Sequence, residues 1–287
     1  MLTQRTLSAA GIDAVALKPT ECDVGDARSL GVDTIAIDYE GRAHLPDAAT
    51  LRSLAAESTV YLTTPVRTDG FDPLGDDSLL SDLPEGVGRV LVAGNAAYLT
   101  DAERKRAIAP RLRAALDGIV EAAGDEPTPA PWIGTEGVER LALAAVLESG
   151  DSSAGRDGEA ASPGAGGVQY DLLGRTTERE LRALRSVGFE GDVAVYAPTV
   201  LTADEDAILD ALGGYVSRRR AVGRALPEGA ATDRRASGRA REVLLAAARD
   251  FALVGTVDEV REQVDALRDA GATAVVCYPA RGLDALA

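Results

Sequence analysis

The chain has 287 residues, of which 46% are hydrophobic, and this is enough apolar material to exclude a disordered chain or a fibre. Its 46 acidic residues outnumber 30 basic ones and give a formal net charge of -16. This charge repels phosphate backbones and anionic lipid head groups, so we expect neither a nucleic acid nor a membrane surface as a partner.

The basic residues are unevenly divided, because only Lys18 and Lys105 are lysine and all the others are arginine. A surface rich in Asp and Glu and almost without lysine is typical of a halophilic, acidic proteome. Molar salt shortens the Debye length to roughly 3 Å and screens the repulsion between like charges. We therefore interpret the charge as a sign of habitat, in a cytoplasm of high salt.

The side chains that bind transition metals are scarce. Two cysteines, Cys22 and Cys277, and one histidine, His44, cannot build a Cys/His zinc site or a two-histidine iron site, so we predict no metal. No apolar run reaches the roughly 18 residues that a membrane helix needs, and the start of the chain does not resemble a signal peptide. We therefore expect a cytoplasmic protein.

Eight apolar runs of strand length recur along the chain, with helical patterns between them. They are Ala14 to Lys18, Asp33 to Asp38, Thr59 to Thr63, Arg89 to Ala93, Pro131 to Gly134, Val168 to Leu172, Asp192 to Tyr196 and Thr273 to Tyr278. Eight such units predict an α/β protein with one domain over residues 1–287, a (β/α)₈ TIM barrel. An open, doubly wound sheet with an extra unit is the alternative.

Four Thr-x-x-Glu patterns indicate helix starts with a capping box. The pairs are Thr100 with Glu103, Thr177 with Glu180, Thr202 with Glu205, and Thr256 with Glu259. The clearest helix runs from Asp258 to Ala270, with Gly271 as its predicted stop.

Two stretches have little apolar bulk. Residues 149–167 are rich in Gly, Ser and acid, which predicts a disordered surface insertion on the bottom face of a barrel. The stretch from Arg67 to Pro84 leaves the third strand and so belongs to the top face, as an ordinary loop or a lid.

Candidate site residues follow the strands, because barrel enzymes place their active site at the carboxyl ends of the strands. Lys18 ends the first strand of a sequence that otherwise uses arginine, and an amine can form a Schiff base, which arginine cannot. Asp38 and Glu40 end the second strand at i and i+2, where both can reach one cavity and act as a general acid.

Two turns have the composition of phosphate-binding helix starts. Gly134, Thr135 and Gly137 follow the fifth strand, and free amides at a helix N-terminus bind phosphate. Gly174 and Arg175 follow the sixth strand and add a guanidinium that can chelate an anion.

Several segments resemble luciferase-like flavin or deazaflavin oxidoreductases, a family that includes methylenetetrahydromethanopterin reductase. They are DFALVGTVDEVREQVDALRDAGATAVVCYP near the C-terminus, APWIGTEGVERLALAAVLESGD and VAVYAPTVLTADEDAILDAL upstream, and VYLTTPV at the third strand. The resemblance implies hydride transfer between a deazaflavin (F420) or a flavin such as FMN and a small organic substrate. It further implies that Asp38 or Glu40 is the acid and that Thr63 and Thr64 lie near the cofactor ring. The phosphate tail would then lie on the turns at Gly134, Thr135, Gly137, Gly174 and Arg175.

The first half of the chain departs from that family. Tyr39 stands where many members carry histidine, and the fourth strand ends in Gly94 and Asn95 instead of a glycine-rich turn. Two other functions therefore stay open: a lyase or aldolase with Lys18 as the Schiff-base amine, and a barrel without a cofactor that acts as a binding protein. A homodimer is also left open.

Overall fold

The computed structural model describes residues 2–66, 83–92, 112, 115–116, 119, 128–134, 167–170 and 173–286. Its strands are β1 (Ala14–Leu17), β2 (Thr34–Ile37), β3 (Thr59–Pro65), β4 (Val87–Val92), β5 (Trp132–Gly134), β6 (Gly167–Tyr170), β7 (Asp192–Val200), β8 (Leu253–Val254) and β9 (Ala274–Pro279). The described helices are α1 (Leu2–Ala9), α2 (Ala48–Ala55), α3 (Thr177–Ser186), α4 (Glu205–Ser217), α5 (Arg220–Ala225), α6 (Gly238–Phe251) and α7 (Val257–Asp269). Short 3₁₀ turns lie at Val24–Ser29, Arg42–His44 and Leu283–Leu286.

Eight strands form a closed ring of parallel pairs. The order runs from β1 to β7 along the chain, then from β7 to β9, and β9 pairs with β1. β8 adds two residues beside the end of β7. The predicted (β/α)₈ barrel is therefore confirmed, and the open sheet is excluded.

Alternate residues of each strand face opposite sides of this ring. Val15, Leu17, Ile35 and Ile37 face outwards and belong to the main hydrophobic core with α1, α3 and α7. Ala14, Ala16 and Ala36 face inwards and pack in a separate cluster within the ring. Strands covered on both faces in this way are the continuous apolar runs that the sequence shows.

Large and small side chains alternate inside the barrel. The rings of Tyr61 and Trp132 stack with their centroids 4.3 Å apart, and alanines fill the opposite side. Gly88 makes room for this stack, because a Cβ atom there would lie 2.8 Å from the Tyr61 ring. The interior is thus a packed core, as in other barrels of this kind.

Three helices, α4 to α6, and the short β8 lie between β7 and α7. Their buried side chains form a second core that includes Leu209, Leu212, Val216 and Leu244. The sequence predicted a helix after β7 but not this extended helical unit. None of the described helices is long and apolar enough to cross a membrane.

Only one of the predicted capping boxes is confirmed among the described residues. The Thr256 hydroxyl accepts the Glu259 amide at the start of α7, and the Thr256 amide donates in return to the Glu259 carboxylate. Gly271 follows the helix with a positive φ of 120°. The box predicted at Thr177 is wrong, because Thr176 is the N-cap of α3 and the Thr177 hydroxyl accepts the N–H of Gly174.

The box predicted at Thr202 is also wrong, since Asp204 caps α4. Thr100 and Glu103 lie outside the described residues. Most of the two predicted loops also lies outside the described residues, namely 67–82 and 149–166. Gly167 was predicted as the end of the second loop, but it is the first residue of β6.

Candidate functional site

The carboxyl ends of β1 and β2 place two charged side chains at the mouth of the barrel. Lys18 and Asp38 continue the inward alternation of Ala14, Ala16 and Ala36. They are neighbours, because Leu17 pairs with Ile37 and the Asp38 amide donates to the Leu17 carbonyl at 2.8 Å. The structure therefore brings these two predicted residues together.

Tyr278 completes a polar cluster with Lys18. It follows the inward-facing Val276 on β9, and closure of the ring places β9 beside β1. The Lys18 Nζ atom lies 3.3 Å from the Tyr278 hydroxyl and 4.3 Å from the centre of its ring. Glu21, in the loop after β1, accepts the Tyr278 O–H and lies 3.5 Å from Lys18 Nζ. The Tyr278 hydroxyl is thus held between an ammonium and a carboxylate.

The environment of Tyr278 favours its protonated form. Burial raises the pKa of the phenol above its ordinary value, and the hydrogen bond to Glu21 raises it further. The negative charges of Glu21, Asp38 and Glu40 act in the same direction. Tyr278 therefore carries its proton throughout the neutral pH range.

Glu40 and Thr63 support the backbone of the mouth. The Glu40 Oε2 atom accepts the Thr20 amide at 2.8 Å, which connects the end of β2 to the loop after β1. The Thr63 hydroxyl accepts the Tyr39 amide at 2.7 Å, which connects β3 to β2. Both predicted residues lie at the mouth, with these oxygens engaged by main-chain donors.

The mouth has an aromatic side and a side of smaller residues. The rings of Tyr196 and Tyr278 are nearly parallel, with an angle of 17° and centroids 6.1 Å apart. On the opposite side of the barrel, Val92 pairs with Gly134 where β4 and β5 end, and Gly134 contributes no side chain. Among the described residues, the mouth therefore has aromatic surface on one side, while a buried glycine ends the strand on the other.

Other predicted residues are not brought to this cluster. Thr64 follows Thr63 and so faces the opposite way; it is fully buried, and its hydroxyl donates to the Leu62 carbonyl at 3.2 Å. Thr135 and Gly137 lie outside the described residues.

Gly174 and Arg175 lie in the helical layer outside the ring. They line a groove of about 600 Å³ together with residues of α3, α6 and α7. Arg175 Nε donates to Asp250 at the end of α6 at 2.6 Å, so its charge already has a partner. Gly174 and Arg175 therefore do not share the hollow of Lys18 and Asp38.

Tyr278 and Glu21 are not among the site residues that the sequence predicts. A usable signal was present, since Tyr278 is the second residue after the inward-facing Val276 at the carboxyl end of a strand. Its contact with Lys18, 260 residues earlier in the chain, depends on the closure of the barrel and on the register of β9 beside β1, and the sequence pattern gives no such register.

The fold is that of a (β/α)₈ barrel, and comparison with solved structures finds chains that are similar to it. An F420-dependent secondary alcohol dehydrogenase, in complex with an F420-acetone adduct, has a TM-score of 0.52 and 12% identity, over 96% of each chain. Monooxygenase RslO1 from Streptomyces bottropensis has a TM-score of 0.43 and 17% identity, over 99% of this chain and 89% of that one.

The chain belongs to a family of unknown function, DUF7388, whose model matches residues 7–152 and 155–286. No curated protein matches its sequence.

Proposed function

We propose that this protein is an oxidoreductase of the luciferase-like kind, which transfers a hydride between a deazaflavin (F420) or a flavin and a small organic substrate at the mouth of the barrel. The observation that carries the proposal is the cluster of Lys18, Glu21 and Tyr278. It places a proton-bearing hydroxyl between opposite charges where barrel enzymes hold their substrates. The solved alcohol dehydrogenase shares the fold over almost the whole chain.

The described residues fit such a cofactor at its ring. Tyr196 and Tyr278 offer aromatic surface, and Gly134 leaves the opposite strand end without a side chain. The charges are less favourable to an anionic tail, because Glu21, Asp38 and Glu40 outnumber Lys18 on this side. We therefore assign only the ring of the cofactor to the mouth.

The bound cofactor would supply or accept the hydride, and the chain's own residues would supply the rest. Asp38 and Lys18 provide charge at the mouth, while Glu40 and Thr63 fix the backbone that carries Asp38. The apolar barrel interior beneath them, with Val90, Val92 and Trp132, excludes water from below.

Ligand-induced stabilisation tests the proposal. F420 or FMN, added well above micromolar concentration, is expected to raise the melting temperature by a few degrees, because a ligand at about 100 times its Kd adds roughly 2.7 kcal/mol. Gly134→Phe should abolish the shift, since its side chain would enter the inward face of the barrel at the end of β5. Val187→Phe is the matched control, because Val187 is 57% exposed and lies at the end of α3.

Absence of any shift in the wild-type protein with either cofactor contradicts the proposal. That result would favour the barrel without a cofactor.

The Schiff-base alternative receives less support from the geometry. A Schiff base needs a lysine amine that is free to attack a carbonyl carbon, whereas the Lys18 amine already contacts the Glu21 carboxylate and the ring and hydroxyl of Tyr278. Borohydride trapping with carbonyl compounds, followed by mass mapping of Lys18, separates the two functions. A covalent adduct on Lys18 would favour the lyase.

A further inference from the structure

We infer that the Tyr278 hydroxyl is the proton-transfer group of the barrel mouth, acting on the oxygen of an alcohol or carbonyl substrate, with Glu21 as its proton acceptor and Lys18 as a positioning residue. This inference rests on the proposed function, since the hydride must come from or go to a deazaflavin or flavin.

The position of Tyr278 is fixed by strand geometry and by packing. It stands at the carboxyl end of β9 on the inward face, and its ring packs against the cluster inside the barrel. Tyr196 of β7 lies beside the ring, and Lys18 of β1 covers it from the other neighbouring strand. The side chain is only half-buried, so its hydroxyl stays within reach of a molecule in the mouth.

Glu21 gives the proton a route to solvent. Its carboxylate accepts the Tyr278 O–H, and its side chain is 50% exposed. A proton received from Tyr278 can therefore pass from Glu21 to water without crossing the protein.

Lys18 fixes the phenol and stabilises charge on its oxygen. Its ammonium contacts both the hydroxyl and the ring of Tyr278, and its side chain is 30% exposed. A compact ammonium can approach this oxygen while it also pairs with Glu21, whereas a planar guanidinium needs more room. This contact gives a reason for lysine at position 18 in a chain that uses arginine almost everywhere else.

The oxidation of a secondary alcohol balances through these groups. A bound oxidised deazaflavin or flavin would accept the hydrogen and electron pair of the substrate C–H bond as hydride, and the carbon–oxygen double bond would form. The substrate O–H proton moves to the Tyr278 oxygen, while the proton of Tyr278 moves to the Glu21 carboxylate and then to water. Ketone reduction is the same sequence in reverse.

Titration of the phenol tests the cluster without a cofactor. The ultraviolet phenolate absorbance of wild type minus that of Tyr278→Phe reports the ionisation of Tyr278. The charges that face it are Lys18 directly after β1, Glu21 in the same loop, and Asp38 and Glu40 after β2. Glu21→Gln should lower the pKa of Tyr278, because the substitution removes the hydrogen bond and the negative charge that raise it. An unchanged titration of Tyr278 in Glu21→Gln would overturn the inference.

Kinetics of the cofactor-loaded enzyme tests the role in catalysis. The probes are isopropanol and longer secondary alcohols with oxidised F420 or FMN. Tyr278→Phe should lower kcat by about 100-fold or more, the usual contribution of general acid–base catalysis, and leave the cofactor-induced melting shift in place. Glu21→Gln should also lower kcat, because its amide cannot accept the proton of Tyr278. Tyr61→Phe is the matched control, since its hydroxyl bonds to Ala130 at the other end of the barrel.

The possible outcomes separate the catalytic role of Tyr278 from the proposed oxidoreductase function. A normal rate in Tyr278→Phe with cofactor bound overturns the role of Tyr278 and leaves the proposed function standing. Cofactor binding without turnover of any alcohol overturns the substrate class. Absence of cofactor binding in the wild type overturns the proposed function, and the inference with it.

Discussion

Gly213 illustrates how one missing side chain holds the helical unit after β7 together. It lies in the middle of α4, and a Cβ atom there would stand 1.9 Å from the Thr232 carbonyl oxygen. The loop before α6 therefore packs against the bare backbone of α4. We expect Gly213→Ala to lower the free energy of unfolding by about 3 kcal/mol, as overpacking of a tight contact does. Denaturant unfolding measures the change.

Gly214 provides the matched control on the same helix. A Cβ atom at this position meets nothing within 4 Å. Gly214→Ala should raise the free energy of unfolding by roughly 0.5–1 kcal/mol, because alanine favours a helix more than glycine does. Equal effects of the two substitutions would show that the contact with Thr232 does not constrain α4.

The burial of Tyr61 indicates how the free energy of unfolding depends on pH in the alkaline range. It is 5% exposed, and burial raises its pKa from 10 to about 12. The raised value means that the folded state holds this proton more tightly than the unfolded state does. The resulting stability is complete below pH 10 and is lost as the pH rises towards 12, by up to about 1.4 kcal/mol per pH unit.

Tyr61→Phe isolates this contribution. The variant should lose less unfolding free energy than the wild type between pH 10 and 12, while the difference between the two proteins stays constant from pH 7 to 9. Denaturant unfolding at each pH gives both curves. Parallel curves over the whole range would contradict the assignment to Tyr61.

For individual residues, the sequence predicted which ones lie at strand ends better than it predicted the direction in which their side chains point. Lys18, Asp38 and Thr63 lie at the mouth as predicted, because strand ends are visible in the sequence. Thr64 was predicted to lie beside the cofactor ring together with Thr63, although successive residues of a strand face opposite sides of the sheet. Arg175 was predicted to bind the phosphate tail of the cofactor, but its partner Asp250 belongs to a helix that the sequence did not predict.

Among the secondary-structure elements, α3 is joined to two strands by one arginine. Arg185 donates to three main-chain carbonyls, those of Phe189, Gly191 and Gly271, at 2.8–3.0 Å. These carbonyls lie in the turns that precede β7 and β9. Arg185→Lys cannot reproduce this pattern of donors, and we expect a loss of about 2–3 kcal/mol in the free energy of unfolding.

Arg182 is the control for that prediction. It lies one turn earlier on α3 and, within the part of the chain that the structure describes, pairs with Glu178 alone, at 2.9 Å, with both side chains about half exposed. Arg182→Lys should change stability by less than about 0.5 kcal/mol, as exposed ion pairs contribute little. Similar losses from the two substitutions, measured by thermal or denaturant unfolding, would refute the role given to Arg185.

The elements differ in how far the sequence could predict them. All eight barrel strands were predicted, because strands buried on both faces are continuous apolar runs. Helix starts were less certain, since several neighbouring side chains can accept the first free amides. Asp204 takes this role two residues after Thr202, whereas Thr256 has no such competitor before α7. The short β8 has only two residues, too few for a periodic pattern.

Across the whole molecule, ring closure creates the candidate site. β9 meets β1 only because the barrel closes, and this contact brings Tyr278 to Lys18 and Glu21. The count of eight strands predicted closure, but the register between the first and last strands had to come from the structure. The fold was therefore predictable from the sequence, and the central cluster of the site only in part.

The charge of the whole molecule predicts its response to salt. With a net charge of -16, repulsion opposes the compact state, and the Debye length falls from about 10 Å at 0.1 M to about 3 Å at 1 M. The surface ion pairs that salt also weakens, such as Arg28 with Glu57, are each worth at most about 1 kcal/mol. We therefore expect the melting temperature to rise with KCl up to about 1 M and then to level off.

Potassium sulfate distinguishes screening from exclusion of salt from the protein surface, because sulfate stabilises many proteins by exclusion. At matched ionic strength, screening predicts similar gains from both salts. Stabilisation by sulfate alone, or a melting temperature that does not change in KCl, would mean that charge repulsion is not what limits the stability of this barrel.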